Sequence, residues 1–195
     1  MIENENYDGA IKMVTALAKL FRISLSKGKN VISLKDEIEH VRNYLTIQSI
    51  RYKNKFEYFI ECDDNTLNLC SLKLIIQPLV ENAIKHGMEF MDGEGEITVK
   101  TYIKDNDLFI DVIDNGFGMT QENAEGILSG TLKINGKGSG IGLKNVNERI
   151  KICFGNNYGL SIFSELDEGA TVRIHMPCIL IEEYLNNGDN KYEKK

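Results

Sequence analysis

The stretch GKGSGIGLKNVNERI, residues 136–150, places three alternating glycines directly before an amphipathic helix pattern. Gly138, Gly140 and Gly142 carry no side chains, so a ligand can approach their backbone N–H groups closely. These groups and the positive end of the helix dipole would point to the same place, which favours a triphosphate as the occupant. The stretch is neither a Walker P-loop nor a Rossmann fingerprint, because GxxxxGK[ST] is absent and no strand leads directly into it. Taken alone, it fits the hinge of a flexible lid equally well.

The composition is that of a soluble globular protein with one sizeable core. Of its 195 residues, 42% are hydrophobic and 27% are charged, and only two are prolines. The formal net charge of −6 argues against a nucleic-acid-binding protein, which would present a basic surface. No signal peptide opens the chain, and no apolar run approaches the ~20 residues that a membrane-spanning helix needs. We therefore expect a soluble chain that does not bind nucleic acid.

The four cysteines show neither CxxC pairing nor histidine partners at the spacing of a zinc site. We expect buried or partly buried free thiols in a reducing compartment. They are Cys62, Cys70, Cys153 and Cys178.

Hydrophobic periodicity divides the chain into helices and strands. Four segments have helical spacing, the second with Ser33 as its N-cap, and five segments alternate as strands do. Residues 120–137 suit a loop or mobile lid with one short helix, and the charged C-terminal residues suit disorder. The predicted helices are 7–25, 33–52, 71–87 and 141–155, and the predicted strands are 55–62, 95–104, 107–116, 158–166 and 169–177.

A second motif, ENAIKHG at residues 81–87, lies in the third predicted helix. Asn82, Lys85 and His86 are three and four residues apart, so on an α-helix they share one face. An amide oxygen can ligate Mg²⁺, and an ammonium and an imidazole can reach phosphate oxygens. For this motif alone, an ordinary solvated helix face is the simpler interpretation.

A third motif, DVIDNGFGM at residues 111–119, ends a predicted strand on Asp114. An aspartate at this position can accept a hydrogen bond from an exocyclic amine, while a flat ring lies over the backbone of Gly116 and Gly118. The alternative is an ordinary Asp-Asn-Gly turn.

Along the chain the asparagine helix comes first, then the strand with DxGxG, then the GxGxG stretch before a helix. Together and in this order, the three motifs resemble the ATP-binding fold shared by gyrase B, heat-shock chaperones, MutL-type repair proteins and histidine kinases. Within that group, QPLVENAIKHG, DNGFGM and GSGIGLKNVNERI look like sensor histidine kinases of the LytS-like class. The helical stretch 33–58 looks like the same class, so the resemblance covers residues 10–178. It implies an α/β two-layer sandwich, the Bergerat or GHKL fold, with a mixed sheet covered by helices on one face and an N-terminal helix before it.

The resemblance also implies a division of the chain. Residues 1–32 would be a helical remnant of the dimerisation and phosphoacceptor hairpin. Residues 33–180 would form the GHKL-type ATP-binding catalytic domain, and residues 181–195 a disordered polar tail.

The resemblance assigns roles to particular residues, and it implies ATP and Mg²⁺ as ligands. An asparagine binds the metal, a lysine and a histidine lie on the phosphate side, an aspartate accepts from the adenine amine, and two glycine boxes surround the nucleotide. In this order the residues are Asn82; Lys85 and His86; Asp114; Gly116 and Gly118 in the first box; and Gly138, Gly140, Gly142 and Leu143 in the second.

Position 78 separates kinase from hydrolase chemistry. Hydrolytic members of the group carry a glutamate four residues before the metal-binding asparagine, where this chain has Pro78. A proline has no proton acceptor, so water activation from this position is excluded and phosphoryl transfer is favoured. Glu81 lies next to Asn82, about 100° around an ordinary helix, and we treat it as a helper base by hypothesis.

The phosphoacceptor is not evident among the three histidines. In the LytS-like class the acceptor lies in a PHFLYN-like segment, which this sequence lacks. His86 lies in the ATP motif, and His175 suits a structural or surface position in a strand. His40 has the carboxylates Asp36, Glu37 and Glu39 nearby, which could make its imidazole more basic, but a solvated helix face is the favoured interpretation.

We therefore expect a fragment that begins after the acceptor helix and that alone would not autophosphorylate. The implied partners are the phosphoacceptor histidine hairpin of the same parent protein, a response regulator and, for the parent, a second copy in a homodimer. The implied location is cytoplasmic, with the parent anchored in a bacterial membrane. The alternative function is a catalytically silent, nucleotide-gated interaction module. A gyrase-like ATPase is disfavoured by Pro78.

Overall fold

The computed structural model describes residues 7–24, 30–53, 55–88, 94–131 and 141–186. Helices and strands follow one another along these ranges. The helices are α1 Tyr7–Ser24, α2 Leu34–Arg51, α3 Gln77–Asn82 with a π-helix at Ala83–Met88, α4 Gln121–Ser129, α5 Ile141–Phe154 and α6 Ile181–Asn186, with a short 3₁₀ turn at Asp64–Thr66. The strands are β1 Val31–Ser33, β2 Phe56–Cys62, β3 Cys70–Leu72, β4 Gly95–Lys104, β5 Asp107–Asp114, β6 Gly159–Glu165 and β7 Gly169–Pro177.

Strands β2, β4, β5, β7 and β6 form a mixed sheet in this spatial order. β2 and β4 run parallel, and the other neighbouring pairs run antiparallel. The central register places Asp114 at the end of β5, between Ile97 of β4 and Ala170 of β7. A separate antiparallel pair joins β1 to β3. The predicted mixed sheet is confirmed, and within it β6 and β7 form an antiparallel hairpin.

One face of the sheet forms the hydrophobic core, because alternate residues along each strand point to opposite faces. Ile97, Val99, Ile110 and Ile174 are fully buried on this face and pack with apolar residues of α2, α3 and α5. The other face carries half-buried aromatic and charged side chains. There His175 stacks on Phe109 at 4.7 Å between ring centroids, as befits the structural or surface position expected for it. The predicted two-layer α/β sandwich is confirmed.

Helix α1 packs against α2, and Arg22 pairs with Glu39 at 3.6 Å. Ala16 is buried, whereas several large apolar side chains of α1 are exposed to solvent. No helix in the described ranges is both long enough and apolar enough to span a bilayer. The exposed side chains are Tyr7, Ile11, Val14, Leu17 and Phe21.

The predicted helix 71–87 begins too early. Cys70–Leu72 is a strand, Leu74 has a positive φ of 60°, and the α-helix starts only at Gln77. A short apolar run is compatible with either a strand or a helix, and its partner β1 decides between them. The α-helix also ends at Asn82, where the π-helix begins.

The expected tail is wrong in its first part, because residues 181–186 form helix α6 with Tyr184 only 2% exposed. Residues 187–195 lie outside the described residues. The short helix expected within 120–137 is α4, with Thr120 as its N-cap. None of the four cysteines, all within the described ranges, forms a disulfide; Cys70 is buried and the other three are half-buried, as predicted.

Candidate nucleotide site

Asp114 ends strand β5 as a buried carboxylate. Its side chain lies where β4, β5 and β7 come together, and the residue is 9% exposed. Its Oδ1 accepts a hydrogen bond from the Gly116 N–H at 3.0 Å. Burial raises the pKa of Asp114 to about 6, and the N–H groups of Gly116 and Ala170 offset only part of that rise. The carboxylate is therefore a strong hydrogen-bond acceptor held in apolar surroundings at neutral pH.

The segment after Asp114 packs against the turn between β6 and β7. Gly118 has a φ of 60°, and a Cβ there would overlap the carbonyl oxygen of Glu165. The Asp167 N–H donates to the Phe117 carbonyl at 2.8 Å, which fixes the segment to the turn. Only glycine combines this backbone conformation with this close approach, so the first glycine box has a structural reason in the fold itself.

Helix α3 is held at its start by a buried carboxylate of α2. Glu37 is fully buried and accepts hydrogen bonds from the N–H groups of Leu74, Ile75 and Ile76 at 2.9, 2.8 and 3.0 Å. Burial raises the pKa of Glu37, and these three donors, together with the nearby His40, only partly offset the rise. Glu37 thus binds three consecutive N–H groups of the segment that leads into α3, the last of them that of the N-cap residue Ile76.

Two further side chains continue this link between α2 and α3. His40 Nε2 lies 2.7 Å from Gln77 Oε1, and Gln77 Nε2 donates to Glu81 Oε1 at 2.7 Å. His40 is 0% exposed, so the expected solvated position is wrong. Two polar side chains of α2 are therefore buried with partners: Glu37 bonds the segment before α3, and His40 bonds the first residue of α3.

The asparagine motif begins on α3 and continues into the π-helix. Asn82 is half-buried at the last α-helical position, and Lys85 is exposed. The predicted common face assumed α-helical spacing, which holds only as far as Asn82. π-helical turns often accompany functional sites. The side chain of His86 lies outside the described residues.

The second glycine box is described only from residue 141 onward, so Gly138 and Gly140 lie outside the described residues. Gly142 lies in the first turn of α5, and a Cβ there would lie 3.5 Å from the Cβ of Pro78. The start of α5 therefore lies against α3. Leu143 is 1% exposed and belongs to the core, so its side chain is not available to a ligand.

The fold thus brings the motifs to one region: the π-helix contacts β4 and β5, and α5 contacts α3. Sequence reasoning missed Glu37 and Gln77. The signal for Gln77 was available, because a glutamine four residues before Glu81 can reach it along a helix. Nothing local could have assigned Glu37, whose partners are 37 to 39 residues away.

A sequence model described as "Histidine kinase-, DNA gyrase B-, and HSP90-like ATPase" matches residues 70–179, and a histidine kinase model matches residues 1–56. The chain belongs to this ATPase family. It carries the ATP-binding catalytic domain found in sensor histidine kinases, and the resemblance drawn from the three motifs is confirmed.

Curated relatives support the same assignment. The chain is 36% identical over 167 residues to sensor histidine kinase YesM of Bacillus subtilis, which covers 86% of this chain and 27% of YesM. It is 32% identical over 176 residues to sensor protein LytS of Bacillus cereus, which covers 89% of this chain and 30% of that protein. The chain therefore spans less than a third of the length of these two relatives.

A solved structure shares the fold of the domain. The catalytic domain of histidine kinase ThkA superposes with a TM-score of 0.60 at 19% identity, over 76% of this chain and 95% of that one. At this identity the likeness concerns the fold alone.

Proposed function

We propose that this chain transfers the γ-phosphoryl group of Mg-ATP to a histidine outside the chain, as the catalytic part of a sensor histidine kinase. The observation that carries the proposal is Asp114, a buried carboxylate at a strand end, followed by Gly118, where no side chain fits. This arrangement suits a buried acceptor for the adenine amine, with the glycine segment beside it fixed against the turn between β6 and β7. The family membership supports it.

In this proposal, residues of the three motifs bind different parts of ATP. Asp114 is mostly ionised above pH 6 and accepts from the adenine amine. Lys85 and His86 would bind phosphate oxygens, and the glycine box with Gly138, Gly140 and Gly142 would supply N–H groups to the same oxygens. Gly118 allows the segment beside the base to pack against the turn between β6 and β7.

The side chains of the site suit a magnesium ion that would be bound mainly by the phosphate groups of ATP. In the described ranges, no group of three or more acidic, histidine or cysteine side chains could hold a metal. Mg²⁺ bound through substrate phosphates and water needs only one or two protein ligands, and the half-buried amide of Asn82 can provide one. When bound, the ion would neutralise charge on the phosphate oxygens.

Pro78 favours transfer over hydrolysis. It lies on α3 against Gly142, where it offers no proton acceptor to a water molecule. Rate acceleration would then come from positioning and charge stabilisation. The catalytically silent module has no observation in its favour.

The proposed partners follow from the family. They are a hairpin that carries the phosphoacceptor histidine, a response regulator, and a second copy of the parent protein. No role in nucleic-acid binding is proposed, and the domain would work in the cytoplasm beside a membrane-anchored parent.

The test is calorimetric titration of ATP, with and without Mg²⁺, into the chain and into Asp114→Asn. Asp107→Asn, at the opposite end of β5, is the matched control, because it pairs with His175 on the other face. We expect Mg-dependent binding that Asp114→Asn abolishes and Asp107→Asn retains. Equal binding by all three proteins would refute the adenine role of Asp114.

A further inference from the structure

Helix α3, which carries Asn82, is too short to hold its own position. It has six residues, Gln77–Asn82, and its second residue Pro78 has no N–H group to contribute. Isolated helices shorter than about 12 residues are only marginally stable in water, so a helix of this length depends on contacts outside itself. The place of Asn82 is therefore decided by whatever holds the start of α3.

The segment that leads into α3 has no capping group of its own. The N-cap residue Ile76 has an apolar side chain, and no side-chain hydrogen bond caps the helix there. Leu74, two residues earlier, has a φ of 60°, a conformation that is costly for a residue with a Cβ. This backbone would relax to another conformation unless something outside the segment held it.

Glu37 of α2 holds this segment through both of its carboxylate oxygens. Oε2 accepts from the N–H of Leu74 at 2.9 Å, and Oε1 accepts from those of Ile75 and Ile76 at 2.8 and 3.0 Å. The residue is 0% exposed. A carboxylate is tolerated in such a position only when its oxygens have partners, so these three bonds account for a glutamate inside the core.

His40, one turn further along α2, adds a second anchor on the same side of that helix. Its Nε2 lies 2.7 Å from Oε1 of Gln77, the first residue of α3. Its Nδ1 is buried and has no hydrogen-bond partner within the described part of the chain. A buried polar atom without a partner lowers stability, so the contact with Gln77 accounts for a histidine at this position.

Backbone hydrogen bonds carry this hold along α3 to Asn82. The Ile76 carbonyl accepts from the Val80 N–H at 3.1 Å, and the Val80 carbonyl accepts from the N–H of Ala83, the residue after Asn82. At 1.5 Å per residue, the asparagine lies only about 9 Å from the N-cap. A shift of the segment bonded to Glu37 would therefore move Asn82 with it.

We propose that Glu37 is a positioning residue for the metal site, which sets the place of Asn82 toward the Mg²⁺ of Mg-ATP by holding Leu74–Ile76, and that His40 supports it through Gln77. This inference rests on the proposed function. Both side chains act through α3 and not by contact with the nucleotide. Replacing a residue that orients a metal ligand commonly lowers metal affinity about tenfold or more.

The test is calorimetric titration of ATP, with and without Mg²⁺, into the whole chain and its variants. The measured quantity is the ratio of the Kd without Mg²⁺ to the Kd with Mg²⁺. We expect Asn82→Ala and Glu37→Gln each to lower this ratio about tenfold. The amide of Glu37→Gln keeps the shape of the side chain but can place only one acceptor oxygen where the carboxylate has two. The double variant should match Asn82→Ala alone, because Glu37 acts through Asn82.

Two other carboxylates provide matched controls. Glu39→Gln makes the same change two residues along α2, where the side chain pairs with Arg22 of α1. Asp111→Asn alters a buried carboxylate that is bonded to Arg173 of β7, so it should lower stability without moving α3. Both should keep the wild-type ratio. A loss of stability alone lowers the fraction of chain able to bind and raises both Kd values equally, which leaves their ratio unchanged.

His40→Leu separates the position of α3 from the stability of the fold. It removes the bond to Gln77 together with the buried nitrogen that has no partner, so the midpoint of urea denaturation should stay close to that of the wild type. The ratio of Kd values should nevertheless fall about threefold, because one hydrogen bond to α3 is lost. This variant keeps the test available should Glu37→Gln fail to fold.

The remaining outcomes distinguish the two proposals. If the wild type binds no ATP, or binds it equally with and without Mg²⁺, the proposed function or its metal site fails and the role of Glu37 fails with it. If Asn82→Ala loses the Mg²⁺ dependence while Glu37→Gln and His40→Leu keep it, only the inference about Glu37 is overturned. The inference is also overturned if Asp111→Asn lowers the ratio as much as Glu37→Gln does.

Discussion

Asp111 of β5 and Arg173 of β7 face each other in register and form a two-pronged ion pair, with N···O distances of 2.7 and 2.8 Å. Asp111 is 4% exposed although it lies on the face of the sheet opposite the main core. The Arg173 guanidinium also lies 5.1 Å from the ring centroid of Phe163. One arginine therefore joins the central strands to an aromatic cluster on the face that the helices leave uncovered.

Replacing Arg173 by methionine should lower the free energy of unfolding by about 2 kcal/mol, because Asp111 would keep a buried charge without its partner. The size is moderated by the partial exposure of Arg173. Urea denaturation measures it. Replacing both residues by apolar ones should recover part of the loss, and an unaltered midpoint for the single variant would contradict this account.

Gly118 of the first glycine box can be compared with Gly155, which follows α5, to test how much the close packing at Gly118 matters. Both have positive φ angles, 60° and 99°, but a Cβ at Gly118 would overlap the Glu165 carbonyl, whereas nothing lies within 4 Å of one at Gly155. Gly155→Ala should cost about 1 kcal/mol from backbone strain alone. Gly118→Ala should cost clearly more, because the backbone of the box or of the β6–β7 turn must move.

Denaturation midpoints of the two glycine variants test this difference, and ATP titration shows whether the displaced box still binds nucleotide. Equal midpoints would mean that the close approach at Gly118 relaxes freely. Weaker ATP binding by Gly118→Ala, with unchanged binding by Gly155→Ala, is expected.

Most helices and strands could be predicted because their pattern is local. Apolar residues alternate with a period of two along the strands β4 to β7, and they recur with the helical period along α5. Ser33 caps α2 as expected. The motifs themselves were also visible, because glycines and the strand-end Asp114 are informative without their neighbours.

What could not be predicted depends on contacts between distant residues. Leu74 leaves helical geometry because β3 pairs with β1 and Glu37 binds the N–H groups that follow. The burial of His40 depends on Gln77, 37 residues later. A polar residue on a helix gives no local sign of such a partner, so exposure was the natural but wrong expectation.

Helix α6 should contribute to the stability of the domain. Tyr184 is 2% exposed, whereas its neighbour Leu185 is 51% exposed. Tyr184→Ala should lower the free energy of unfolding by about 3 kcal/mol, and Leu185→Ala should change it by less than about 0.5 kcal/mol. Urea denaturation of the two variants measures the difference, and equal small effects would show that α6 is not held against the core in solution.

Asp114→Asn should make the protein more stable at neutral pH while it removes nucleotide binding. The pKa of Asp114 rises from 3.8 to about 6 on folding because the carboxylate is buried. The folded state thus binds the proton more tightly, so the stability of the wild type is greatest below pH 3.8 and falls as the pH rises to about 6. The neutral amide avoids this loss, which corresponds to about 3 kcal/mol at pH 7.

The measurement is urea denaturation of the wild type and Asp114→Asn between pH 4 and pH 8. We expect the advantage of the variant to be small near pH 4, to grow through pH 6 and to stay constant above it. Asp107→Asn serves again as the control, since it removes a carboxylate of the same strand that is 30% exposed and bonded to His175. An advantage that does not depend on pH would show that Asp114 is not the group responsible. A variant less stable than the wild type at pH 7 would show that the carboxylate supports the fold, contrary to a site built for a ligand.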